Sequence, residues 1–75
     1  MTVVGAPDPN RFFKENPAAV LPWRDYLLGV GKIRKNGLLY DLLTSAAAAP
    51  AYAASIARKH PDEFGVFSTV YRLTS

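Results

Sequence analysis

Trp23, Tyr26, Leu27, Val30 and Ile33 recur at i, i+3, i+4, i+7 spacing, while Arg24, Asp25, Lys32 and Lys35 lie mainly off that stripe. The pattern predicts an amphipathic helix over PWRDYLLGVGKIRKN, opened by Pro22 and stopped at Asn36-Gly37, where glycine can supply a left-handed C-cap. Gly29 and Gly31 each weaken such a helix by up to ~1 kcal/mol, or admit close approach of another element. A second stripe joins Tyr52, Ala53, Ile56, Ala57 and His60, leaving Ala51, Ala54, Ser55 and Arg58 on the other face and Lys59 at the border. Proline costs ~3 kcal/mol deep inside a helix and little in its first turn. This helix is therefore expected from Pro50 to His60, with PDEF as a turn behind it.

The C-terminal segment GVFSTVYRLT reads as alternation. Phe67, Thr69, Tyr71 and Leu73 fall on one face of an extended chain, and Val66, Ser68, Val70 and Arg72 on the other, which predicts a strand over 65–73. Such a strand needs a partner: an extended arm over residues 1–7 with an edge strand through Thr2, Val3 and Val4, the 38–44 segment, or a second copy of the chain. Asp8-Pro9 is a helix start, an N-cap carboxylate followed by proline at the first helical position. The helix PNRFFKE ends before Asn16, because Pro17 disfavours a helical residue in front of it, and Phe12 and Phe13 are expected to lie over the rest of the fold. GLLYDLLTS is ambiguous. As a helix it aligns Leu38, Leu39, Leu42, Leu43 and Ala46, and as a strand it is apolar on both sides; its leucines favour a helix over 38–48, though its length suits either. The expected fold is a small single α+β domain, with three to four short helices and a C-terminal β-strand. The helices at 38–48 and 50–60, with a strand after them, suggest a helix-turn-helix or winged-helix arrangement.

Composition supports a folded domain of limited stability. A chain of 75 residues is one domain at most, and a domain of this size buries roughly 60–65% of its unfolded surface. Its stability is expected to be a few kcal/mol, all of it from one core. Nearly half the residues are apolar and nine are aromatic, more than a disordered chain carries. There is no cysteine, so no disulfide framework, thiolate zinc site or cysteine nucleophile is available, which fits a reducing compartment. MTVVGAPDPN has neither the basic start nor the apolar run of a secretory signal. LLTSAAAAPAYAASIA is too short, too polar and too interrupted by proline to span a bilayer. A cytoplasmic protein with no membrane partner is expected.

The net charge of +3 is unevenly spread. Residues 1–31 balance to zero, residues 32–60 carry +4 and residues 61–75 carry −1. Two basic clusters, Lys32, Arg34 and Lys35, then Arg58 and Lys59, favour an acidic partner at short range. On the helix-turn-helix reading, Ala51 and Ala54 let the second helix approach a groove. Ser55, Arg58 and Lys59 would then contact phosphates or bases, and Lys32, Arg34 and Lys35 would add backbone contacts. The plainer reading is that these are solvated charges on an amphipathic fold.

Catalysis finds little support. His60 with Asp62 and Glu63 could form an imidazole–carboxylate pair, but a histidine at a helix end more simply complements the helix dipole. Ser55 and His60 are five residues apart and do not share a helix face. One histidine and scattered carboxylates suit neither zinc nor calcium, and GVGK at 29–32 lacks the spacing and the Ser or Thr of a phosphate-binding loop. No enzyme activity and no cofactor are expected.

Trp23, the YLL of 26–28 followed by Gly29, AASIARKHPDEF at 53–64 and the aromatic segment after it resemble small uncharacterised proteins of actinobacteria and their phages, over roughly residues 22–72. The resemblance implies a small phage-type accessory protein and brings no activity and no site residues. It raises an alternative to DNA binding: a host or virion protein as partner, or a homodimer. The contacts would be made by LLYDLL, Phe67 and Tyr71 and by edge pairing of the C-terminal strand.

Overall fold

The computed structural model describes residues 7–45 and 47–74, and every regular element among them is helical. The expected edge strand at Thr2, Val3 and Val4, and the place of Ala46 on a leucine face, lie outside the described residues. The order is α1 (Pro9–Glu15), a 3-10 turn (Pro17–Ala19), α2 (Val20–Gly29), α3 (Leu38–Thr44), α4 (Ala49–Lys59) and α5 (Pro61–Thr74).

The expected α+β class, with its C-terminal strand, is therefore corrected: the segment from Pro61 to Thr74 is a single helix, and the described residues contain no wing. Its buried positions show why. Phe64, Phe67 and Ser68 are buried and Tyr71 is half-buried, a spacing of i, i+3, i+4, i+7, whereas Val66, Thr69, Val70 and Leu73 are exposed. Strand alternation would have placed Thr69 with Phe67 and put Ser68 outside. Ser68 instead is fully buried, its hydroxyl donating to the Gly65 carbonyl at 3.3 Å. The supposed turn PDEF is the first turn of this helix, with Pro61 at its start and Asp62 and Glu63 where carboxylates favour the dipole. His60, held at φ −130° and ψ 64° by the proline that follows, separates α4 from α5.

α2 stops well before Asn36. Gly31 takes φ +80°, a conformation that costs little only without a Cβ. The Gly31 N–H donates to the Leu28 carbonyl at 3.2 Å and the Lys32 N–H to the Leu27 carbonyl at 2.9 Å. This crossed pair is the Schellman C-cap. Val30 is consequently exposed at the helix end, and Ile33 reaches the core from a loop. Gly37, expected as the stop of that helix, is instead the residue in front of α3. α3 is four residues shorter than the 38–48 expected, reaching only Thr44, and of its leucines Leu43 alone is fully buried.

The core forms where α1, α2, α4 and α5 meet. The alanines of α4 let the backbones come close: Ala49, Ala53, Ala54 and Ala57 are all buried. Ala54 was expected to face outward and Tyr52 inward; the structure reverses both. The Trp23 indole N–H donates to the Ala53 carbonyl at 3.2 Å, so the largest buried side chain also satisfies its one polar atom. Around it, Phe12 and Phe13 of α1, Tyr26 of α2, and Phe64, Phe67 and Tyr71 of α5 make edge, tilted and stacked contacts with centroids 5.0–6.4 Å apart.

Candidate nucleic-acid interface

Lys32, Arg34 and Lys35 project from the loop that joins α2 to α3, and all three are exposed. The loop has a built shape. It leaves α2 through the Gly31 cap, turns Ile33 inward to 7% exposure, and closes with the Gly37 N–H donating to the Arg34 carbonyl at 3.0 Å. Burying Ile33 leaves its neighbours Lys32 and Arg34 on the water side.

Arg58 and Lys59 occupy the last turn of α4 and are exposed, with Ser55 half-buried one turn before them. Arg58 is oriented by α1: its Nη1 donates to the Asn10 Oδ1 at 2.7 Å. Both cations also complement the negative end of the α4 dipole. One tertiary hydrogen bond ties α2 to α5: the Tyr26 hydroxyl donates to the Glu63 Oε1 at 2.7 Å. That bond pins the last turn of α2 to the first turn of α5. It also raises the Tyr26 hydroxyl above its ordinary pKa, with burial and the Glu63 charge adding to the effect.

Arg11 and Arg24 differ in kind. Arg11 pairs with Glu15 at 2.9 Å along α1. Arg24, only 16% exposed, bonds Asp25 at 2.9 Å, donates to the Thr44 hydroxyl at 3.1 Å and lies 4.5 Å from the Tyr40 ring centre. It clamps α2 to α3. Among the described residues, Lys32, Arg34, Lys35, Arg58 and Lys59 enter no ion pair. No sequence signal separated the clamping Arg24 from the solvent-facing cations, because the distinction rests on where Thr44 and Tyr40 fall.

Phe67 and Tyr71, expected to meet a partner, belong to the interior. Phe67 is 7% exposed, and Tyr71 stacks on it at 5.9 Å and meets Phe12 at 5.8 Å. The apolar side chains of α5 that do face out are Val66, Val70 and Leu73. LLYDLL divides likewise: Leu43 is buried, while Leu38 and Leu39 are 73% and 42% exposed. These two leucines line a shallow depression of about 230 Å³ together with Lys32, Ile33, Arg34 and Gly37. A second depression of about 250 Å³ lies between Val20, Leu21, Leu43, Ala49 and Pro50. Its one hydroxyl, that of Thr44, is already engaged with Arg24 and the Tyr40 carbonyl.

The arrangement suits anion binding, with exposed donors on a loop and at a helix end. Among the described residues no hydrogen bond joins a candidate nucleophile to a base. The hydroxyls of Ser68 and Thr69 both donate to the Gly65 carbonyl, and Glu63 is occupied by Tyr26. Among the described residues no three His, Cys, Asp or Glu side chains gather as a metal site, and no helix is long and apolar enough to cross a membrane. The chain matches no family model, no curated protein is significantly similar to it, and no solved structure matches its fold.

Proposed function

We propose that the protein binds nucleic acid through its phosphate backbone. The contacts are made by Lys32, Arg34 and Lys35 on the α2–α3 loop and by Arg58 and Lys59 at the end of α4, with the Ser55 hydroxyl beside them. One observation carries the reading: these five exposed cations fall in two clusters and, like the isolated Lys14 of α1, have no acidic partner among the described residues, whereas Arg11 and Arg24 are paired. A cation released from internal pairing is available to displace counterions from a polyanion. Arg34 and Arg58 can meet phosphate oxygens two at a time, while the lysines act as point charges. The contacts described hold register on a duplex and read no bases.

The test is fluorescence anisotropy of a labelled random-sequence duplex across a salt series. Each phosphate neutralised contributes a slope of about −0.9 in log affinity against log salt, so engagement of all five cations gives a slope of about −4 to −5. Lys32→Ala, Arg34→Ala and Lys35→Ala combined should reduce the magnitude of that slope by about 2 to 3. No binding at low salt, or binding with a flat salt response, would remove the assignment.

A further inference from the structure

Phosphate contacts leave Leu38 and Leu39 without a role. They stand in the first turn of α3, exposed, and no hydrogen bond or ring contact that holds α3 in place uses them: Leu43 is the buried anchor, and Arg24 ties Thr44 and Tyr40 to α2. They border Lys32 and Arg34 around one shallow depression, and Val30, 41% exposed, begins the same loop. Apolar side chains flanked by cations, here where a loop enters a short helix, are the kind of surface that minor-groove proteins press between base steps.

We propose that Leu38 and Leu39 are an apolar wedge that enters duplex DNA from the minor groove and kinks it, with Lys32 and Arg34 holding the backbone beside the opened step. This inference rests on the nucleic-acid reading and adds to it the duplex as substrate and deformation as the mode. An anionic bilayer is the competing chemistry for leucines beside cations. Two partly exposed leucines carry less hydrocarbon than one myristoyl chain, which by itself anchors a protein only marginally. A base step needs no more than one or two such side chains.

The experiment uses a short A·T-rich duplex with TA steps, labelled at both ends for energy transfer, read for anisotropy and end-to-end distance over a salt series. The full chain should shorten the end-to-end distance, corresponding to a kink of about 20–90°. Leu38→Ala and Leu39→Ala combined should abolish the shortening and weaken binding about tenfold at every salt concentration, as loss of buried apolar contact does, while leaving the salt slope unchanged. Because both leucines are exposed, the variant should keep the melting temperature of the parent, and a variant with Leu38→Ala alone provides the intermediate. Salt-dependent duplex binding without bending, and without response to the leucine substitutions, overturns the wedge and leaves phosphate binding standing. No duplex binding at low salt overturns both. So does leucine-dependent binding to phosphatidylserine vesicles by a chain that leaves the duplex straight and unbound.

Discussion

The two faces of the hydrophobic inventory behave differently. In the core, Phe12, Phe13, Trp23, Tyr26, Phe64, Phe67 and Tyr71 pack ring against ring. At the α2–α3 junction, Val30, Leu38 and Leu39 stand exposed among Lys32, Arg34 and Lys35. The first region spends its apolar surface on folding. The second leaves it on the outside, on a loop held by one buried isoleucine and one glycine cap. In a chain this small the separation has a consequence: residues that decide stability and residues proposed to bind are different residues, so each can be altered without the other.

The largest effect should come from the centre of the rings. Trp23→Ala removes the biggest buried side chain and its hydrogen bond to Ala53, and is expected to cost about 3–5 kcal/mol, most of the stability of a domain this size. Urea denaturation followed by circular dichroism measures it; a loss under 1 kcal/mol would show that the ring cluster is not the core.

The two faces of α5 give the next contrast. Phe67→Lys should unfold the protein, whereas Val66→Lys, one residue away on the exposed side, should stay within about 0.5 kcal/mol of the parent. Thr69→Lys separates helix from strand directly, since a strand would bury Thr69 beside Phe67; equal damage from Thr69→Lys and Phe67→Lys would sink the helical assignment.

At the boundary between the regions, Gly31→Ala places a Cβ at φ +80° and is expected to cost about 1–2 kcal/mol. Beyond the two adjacent residues no atom lies within 4 Å of the added Cβ, so the loss reports backbone conformation and not a tertiary clash. An unchanged melting temperature would mean that the loop leaves α2 by another route.

The smallest effect concerns the Tyr26–Glu63 bond. The folded-state pKa of Tyr26 is raised, so its stabilising contribution is whole below the ordinary tyrosine value of about 10 and is lost as pH rises through the folded value. Tyr26→Phe should remove that alkaline component and lower stability by about 1 kcal/mol at neutral pH. Thermal melts of both proteins from neutral to alkaline pH should converge at the alkaline end; parallel curves throughout would deny the bond its role.

Short-range signals were legible in the chain. Pro9 opens α1, Pro50 falls in the first turn of α4, and Pro61 separates α4 from α5, because a proline restricts its own residue and the one before it through covalent geometry. The cations of the candidate site were legible for a similar reason: charge resists burial wherever the chain goes, so Lys32, Arg34, Lys35, Arg58 and Lys59 could be expected outside. What tertiary structure decided was the use of residues whose local pattern suits two answers. Phe67 and Tyr71 fit both the alternation of a strand and the i, i+4 spacing of a helix. The choice went to the helix because it brings Phe64, Phe67 and Tyr71 together against Phe12 and buries Ser68 against its own backbone. Likewise, the i+7 residue of the α2 stripe, Val30, was left outside once Gly31 ended the helix, and Leu38 and Leu39 were left outside once α3 had only one leucine's worth of core to meet. Covalent restriction and charge act on each residue where it stands. Burial depends on which other elements arrive, and that is settled only when the chain closes on itself.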